Sequence, residues 1–195
     1  MTDILGNQLN LNLGLLLPEI ILAATAVLVV LIDMFMEDAA GVRRVLPIVT
    51  IVGLLLAGLL SVTGIDQQVD FARLVQIDNF TTFFRFLFIA VAIVLIAGSH
   101  EYISRYVNHI GEFYALLLLS TVGAMFMASA RDLLVAYLGI EVLSFSLYIA
   151  VSLGKNDPRS GEAGLKYVLL GGVASAEAIS PYCVEAATPY SRLSP

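Results

Sequence analysis

The segment DLLVAYLGIEVLSFSLYIAVSL, Asp132 to Leu153, decides the fold class of this chain. At a rise of ~1.5 Å per residue it is long enough to cross a bilayer as a helix. Glu141 lies near its middle, where an acidic side chain costs ~2.5–3.5 kcal/mol on insertion scales. A carboxylate at that depth faces protein or water and marks an ion pathway by default. The alternative is a neutral or paired glutamate that only stabilises helix packing.

The chain as a whole has the composition of a polytopic membrane protein. Of its 195 residues, 59% are hydrophobic and 13% are charged, against about 45–50% and about 25% in soluble domains. A net charge of −6 disfavours nucleic-acid binding. One cysteine, Cys183, excludes an internal disulfide framework, and two histidines are too few for a His-rich metal site. We therefore expect no metal, nucleotide or redox cofactor to be bound by this chain itself.

Apolar runs with short polar breaks predict an all-α, polytopic membrane helical bundle with five clear transmembrane helices and a shorter sixth. The predicted helices span residues 15–35, 45–62, 80–98, 113–130 and 132–153, and the sixth begins near Gly161. Only ASARD joins the fourth helix to the fifth, which forces a tight antiparallel pair. Small residues of the fourth helix let the backbones approach closely: Gly123, Ala124, Ala128 and Ser129. The connection TGIDQQVDFARLVQIDN, residues 63–79, favours a short extracytoplasmic hairpin or interfacial segment.

The basic residues of the loops predict the orientation in the membrane. The first, third and fifth loops hold more of them than the second and fourth, so the positive-inside rule makes the former cytoplasmic and the N-terminus extracytoplasmic. The first set is Arg43, Arg44, Arg105, Lys155 and Arg159, and the second is Arg73 and Arg131. The start MTDILGNQLNLN lacks the basic residues of a signal peptide, so the first apolar run is expected to remain as a mature helix.

Glu141 shares one helical stripe with three hydroxyl-bearing residues. Tyr137 lies at i−4, Ser144 at i+3 and Tyr148 at i+7. A hydroxyl can hydrogen-bond to either protonation state of a carboxylate, because it both donates and accepts. The stripe therefore predicts a group that loads and releases protons.

Lys166, in EAGLKYVLLGG, is the second candidate for proton translocation. If the sixth helix begins near Gly161, this lysine lies about one turn inside the membrane, where it snorkels or faces the bundle interior. Glu162 precedes it by four residues, so an exposed i,i+4 ion pair is the alternative. A glutamate and a lysine whose separation changes would form a proton switch.

The other charged residues near the helix ends have simpler interpretations. Glu19 follows Pro18 in the first turn of helix 1, where the helix dipole favours an acidic side chain. Asp33, Arg85 and Glu112 are interpreted as residues that reach the membrane interface.

Three segments together resemble a known family. Gly111 to Leu153, GEFYALLLLSTVGAMFMASARDLLVAYLGIEVLSFSLYIAVSL, resembles helices four and five of subunit N of bacterial NADH-quinone oxidoreductase, respiratory complex I, which corresponds to subunit 2 of mitochondrial and plastid forms. LLPEIIL, Leu16 to Leu22, and EAGLKYVLLG, Glu162 to Gly171, are similar to its first and sixth helices. The resemblance covers roughly residues 10–176.

This resemblance implies an antiporter-like membrane-arm subunit of about fourteen helices with two inverted five-helix repeats. Residues 1–110 would then hold membrane helices 1–3, and residues 111–176 would begin the proton-translocating repeat. Residues 177–195 depart from the family pattern and are predicted to be a disordered tail, so the chain is expected to be truncated. Glu141 matches the proton-channel glutamate of the family and Lys166 its sixth-helix lysine, whereas the partner lysine of the seventh helix has no counterpart.

The resemblance also implies partners, cofactors and location. The partners would be the other membrane-arm subunits and the lipid bilayer of the cell inner (plasma) membrane. NADH, FMN, iron–sulfur clusters and quinone would be bound by other subunits of the translocase, and this chain alone would have no catalytic activity. Two alternatives stay open: a subunit of a multi-subunit cation/proton antiporter, and a non-transporting scaffold fragment. The quinone, the electron donor and the coupled ion are left open.

Overall fold

The computed structural model describes residues 16–35, 39–62, 69–71, 74–106, 110–154 and 158–187. Helices α1 to α5 are long and apolar enough to cross a membrane, which confirms the prediction of an all-α polytopic membrane protein. The elements, in chain order, are α1 Leu17–Phe35, α2 Ala39–Ser61, β1 Val69–Phe71, β2 Val75–Ile77, α3 Asn79–Tyr106, α4 Ile110–Ser129, α5 Leu133–Val151 and α6 Pro158–Ala187.

Helix α4 lies at the centre of the described bundle. Of its membrane span 56% is buried, whereas only 11% of the α5 span is buried. Leu22 of α1, Leu54 of α2, Ile96 of α3 and Leu118 of α4 meet in one apolar core. The core therefore sits among α1 to α4, and α5 covers it from one side.

The connection between α2 and α3 contains the predicted hairpin. Strands β1 and β2 are antiparallel, with Val69 opposite Ile77. Val75 of β2 also forms an antiparallel bridge with Ala130, and the Arg131 N–H donates a 2.9 Å hydrogen bond to the Leu74 carbonyl. The hairpin is thus attached to the turn between α4 and α5, so both connections lie at the same end of the bundle.

Helices α4 and α5 form the tight antiparallel pair that the sequence predicts. A Cβ at Gly123 would lie 2.6 Å from the Leu143 nitrogen, and one at Gly139 would lie 2.8 Å from the Met127 nitrogen. Backbone atoms cannot move aside as a flexible side chain can. The two glycines therefore mark the place where the helix backbones cross most closely.

Helix α6 begins at Pro158 rather than near Gly161, because proline is well suited to the first helical position, where its missing N–H is not needed. It packs on α5 through the stacked rings of Tyr148 and Tyr167. The helix continues to Ala187, whereas the sequence predicts disorder from Glu177. Alanine and glutamate are good helix formers, which favours this extension.

Several sequence predictions concern residues outside the described part of the chain. They include residues 188–195 of the predicted tail, and the side chains of Arg43, Arg73, Arg105, Lys155 and Cys183. The predicted domain division and orientation therefore stay predictions.

Candidate functional site

Glu141 lies at the centre of α5 and is half-buried against the rest of the bundle. The Tyr137 hydroxyl donates a hydrogen bond to its carboxylate. The two residues are one helical turn apart, so the i−4 neighbour of the predicted stripe contacts the glutamate directly.

The other members of the stripe, Ser144 and Tyr148, line a cavity of about 450 Å³. Ser99, Ser120 and Tyr167 add three further hydroxyl groups to its walls. The cavity lies where α3 and α5 end and α4 begins, which is the end predicted to be cytoplasmic. Its lining therefore continues the hydroxyl stripe from Glu141 toward that end of α5.

Ser99 contributes a buried hydroxyl group to the wall of this cavity. Its Oγ is buried and has no hydrogen-bond partner among the residues that the structure describes. The Ser120 hydroxyl, in contrast, donates to the Leu117 carbonyl at 2.8 Å. A buried hydroxyl without a protein partner is a suitable group to bind an internal water molecule, because each water needs several polar neighbours. Sequence reasoning did not single out Ser99 or Ser120, since each is one serine in an apolar run.

Lys166 is not joined to Glu141 by a hydrogen bond or ion pair within the described ranges. Its Nζ instead pairs with Glu162 Oε1 at 2.5 Å, and the two side chains are 67% and 64% exposed. This geometry matches the alternative interpretation of Lys166, an exposed i,i+4 ion pair. The role of Lys166 in proton transfer stays a prediction.

A buried ion pair connects α1 and α3, and sequence reasoning missed it. Arg85 Nε donates to Glu19 Oε1 at 2.8 Å, and each side chain is 1% exposed. The interpretation of Arg85 as an interface anchor is therefore wrong, and Glu19 does more than stabilise a helix start. A signal was present in the sequence, because ionisable residues inside apolar helices are expected to pair with one another.

Glu112 and Asp33 lie at the other end of the bundle. Glu112 is half-buried in the first turn of α4, where the helix dipole favours a carboxylate. Asp33 lies near the end of α1 and packs closely on α4. A Cβ added at Gly111 would lie 2.5 Å from the Asp33 Cβ. Across the described ranges, no group of three or more His, Cys, Asp or Glu side chains is arranged to hold a metal ion.

Comparison with known proteins connects this geometry to a family. Residues 130–178, which include Glu141 and Lys166, match the family described as NADH:quinone oxidoreductase/Mrp antiporter, transmembrane. The chain is 36% identical over 163 residues to NADH-quinone oxidoreductase subunit N of Trichlorobacter lovleyi, a match that covers 83% of this chain and 33% of the relative. The chain is thus similar to subunit N over most of its own length.

Two further relatives are similar to the chain to the same degree. Subunit N of Dehalococcoides mccartyi is 37% identical over 166 residues, covering 84% of this chain and 33% of the relative. NAD(P)H-quinone oxidoreductase subunit 2 of Synechocystis sp. is 36% identical over 169 residues, covering 86% and 32%. The resemblance to subunit N and subunit 2 is thereby confirmed. The chain spans about one third of the length of these relatives.

Proposed function

We propose that this chain contributes a proton-transfer group, Glu141, to the membrane arm of a proton-pumping NADH-quinone oxidoreductase. The observation that carries the proposal is the carboxylate at the centre of α5, bonded to Tyr137 and followed along its helix by residues that line a hydroxyl-bearing cavity. An acidic group is retained at such a depth at considerable cost, which favours a role in an ion pathway.

The chemistry of the stripe supports proton transfer at Glu141. In the ionised state the carboxylate accepts the Tyr137 hydroxyl proton in a hydrogen bond. When Glu141 binds a proton, its own O–H donates to a neighbouring hydroxyl oxygen, since tyrosine and serine both donate and accept. The group thus keeps a hydrogen-bonded partner in both states, and protons reach it from the cavity between α3, α4 and α5.

Lys166 is the proposed partner on α6. Its exposed pair with Glu162 contributes little stability, because exposed ion pairs are worth ~0–1 kcal/mol. The lysine can therefore exchange this partner at small cost. In the assembled complex, quinone reduction on other subunits would drive the change in its separation from Glu141. NADH, FMN, iron–sulfur clusters and quinone are bound by those subunits in this proposal, and the other membrane-arm subunits are the partners of this chain.

The first prediction tests Glu141 in a full-length relative assembled into its complex. Glu141→Gln, made at the matching position, removes the exchangeable proton while preserving size, so proton pumping per NADH oxidised should fall and assembly should persist. Asp132→Asn is the matched control, because it is the same change on an exposed carboxylate at the start of the same helix. Pumping is measured by dye quenching in inverted vesicles. Wild-type pumping by the Glu141 variant would contradict the proposal.

A second candidate function follows from the matching family, whose description also names Mrp antiporters. A cation/proton antiporter subunit would use the same glutamate without electron transfer. Purification of the native assembly separates the two: flavin and iron–sulfur absorbance with NADH oxidation supports the oxidoreductase, and their absence from an active assembly supports the antiporter.

A scaffold role would be indicated if Glu141→Gln were neutral while packing variants of α4 and α5 abolished assembly.

A further inference from the structure

The Glu19–Arg85 ion pair lies outside the segment 130–178 that matches the family model, and proton transfer at Glu141 does not use it. We propose that Arg85 is a positioning residue: its ion pair with Glu19 connects α3 to α1, and α3 in turn positions the segment that joins α4 to α5. The inference deepens the proposed function, because α5 carries Glu141, and it rests on that function for its importance.

The pair is built to fix one arrangement of the two helices. Arg85 Nε lies 2.8 Å from Glu19 Oε1, and the second guanidinium nitrogen contacts the same oxygen. Glu19 Oε2 is buried and has no hydrogen-bond partner in the described part of the chain, so Arg85 supplies the cation that this carboxylate group faces. Rotation of either helix would leave a charge buried alone, which is strongly unfavourable. The charges thus select one register of α1 on α3.

The first turns of α3 transmit this register to the α4–α5 turn. Thr81 lies one turn before Arg85, and its hydroxyl is 3.0 Å from the Gln76 carbonyl of β2 and 3.5 Å from the Ala128 carbonyl of α4. Strand β2 then binds the turn itself, through the bridge from Val75 to Ala130. The Arg131 N–H completes the connection by donating to Leu74.

Burial distinguishes this pair from the ion pair of Glu162 with Lys166. Glu162 and Lys166 are two-thirds exposed and lie on one helix, so water screens their attraction and no second element depends on it. Glu19 and Arg85 are 66 positions apart in sequence. The buried pair, unlike Glu162–Lys166, therefore connects two helices.

The test follows amide hydrogen exchange of the full chain in lipid nanodiscs, at residues 129–132. Arg85→Met leaves Glu19 buried without its cation, and it should lower thermal stability and speed exchange of the turn at least about tenfold, which corresponds to about 1.4 kcal/mol. In the double variant with Glu19→Gln, no charge is left alone. Its thermal stability should recover while the turn still exchanges fast, because the connection between α1 and α3 is gone.

Two further variants test the positioning role if Arg85→Met does not fold. Thr81→Val removes the hydroxyl between α3, β2 and α4 and leaves the ion pair intact, so it should also speed exchange at the turn. Glu162→Gln is the matched control on the exposed pair and should leave exchange unchanged. Wild-type exchange at the turn in both the double variant and Thr81→Val would overturn the positioning role. This readout does not involve proton transfer, so it can fail or succeed independently of Glu141.

Discussion

At the scale of single residues, the closest approach of α4 and α5 depends on two glycines. A Cβ at Gly139 would lie 2.8 Å from the Met127 nitrogen and 2.9 Å from the Gly123 oxygen. Both are backbone atoms, so a larger residue must push the helices apart. Glu141 is two residues further along α5, and its distance from the neighbouring helices is therefore set in part by these glycines.

Gly139→Ala should accordingly destabilise the chain by about 1–3 kcal/mol, the usual cost of overpacking a close contact. Gly98→Ala is the matched control, because a Cβ there meets nothing within 4 Å among the described atoms. That control should be neutral or stabilising by up to about 1 kcal/mol, since glycine is unfavourable inside a helix. Equilibrium unfolding of both variants in mixed micelles provides the comparison. Equal stability of the two variants would show that the glycine crossing is not a tight contact.

At the scale of elements, α3 begins with a defined N-cap. Asp78 precedes the first helical residue, and its Oδ1 accepts a 2.8 Å hydrogen bond from the Thr81 N–H. Its carbonyl accepts the Thr82 N–H at 3.0 Å. This arrangement satisfies backbone donors that a helix start otherwise leaves unpaired. The cap thus fixes the start of α3 directly after β2.

Replacing this cap should weaken the start of α3. Asp78→Ala is expected to cost about 1 kcal/mol of unfolding free energy, whereas Asp78→Asn should be close to neutral because asparagine is a comparable N-cap. The measurement is equilibrium unfolding of the two variants under identical conditions. If alanine and asparagine gave the same stability, the side-chain hydrogen bond would have no net effect.

At the scale of the whole molecule, the outer surface of α5 is apolar. Leu134, Leu138, Phe145 and Leu147 are each about half exposed or more. In water such a surface would drive association, but in a bilayer it contacts lipid chains or neighbouring membrane helices. The described bundle is therefore consistent with a multi-pass membrane protein, and its two ends face opposite aqueous compartments.

The predicted orientation can be tested with single cysteines in a Cys183→Ser background. Gly161→Cys lies at the cytoplasmic end of the predicted topology, and Asp132→Cys lies at the opposite end; both positions are exposed. A membrane-impermeant maleimide should label the first in inverted vesicles and the second in right-side-out vesicles. The reverse labelling pattern would show that the N-terminus is cytoplasmic.

The sequence alone determined the features that depend on local pattern. The apolar runs specified five spanning helices, because a helix must satisfy its own backbone hydrogen bonds inside a bilayer. The short ASARD join between the fourth and fifth helices required an antiparallel pair, and helical spacing placed Tyr137 beside Glu141. A short hairpin or an interfacial segment after α2 was also expected, because this long connection mixes polar with apolar residues.

Only the tertiary structure decided which distant residues meet. Arg85 and Glu19 are each interpretable from the sequence as helix-end residues, yet the folded bundle buries them together. The bridge from Val75 to Ala130 and the hydroxyl-lined cavity beside Glu141 likewise depend on how whole helices are arranged. Periodicity shows which face of a helix is apolar, but the partner of a buried charge depends on the position of another helix in space.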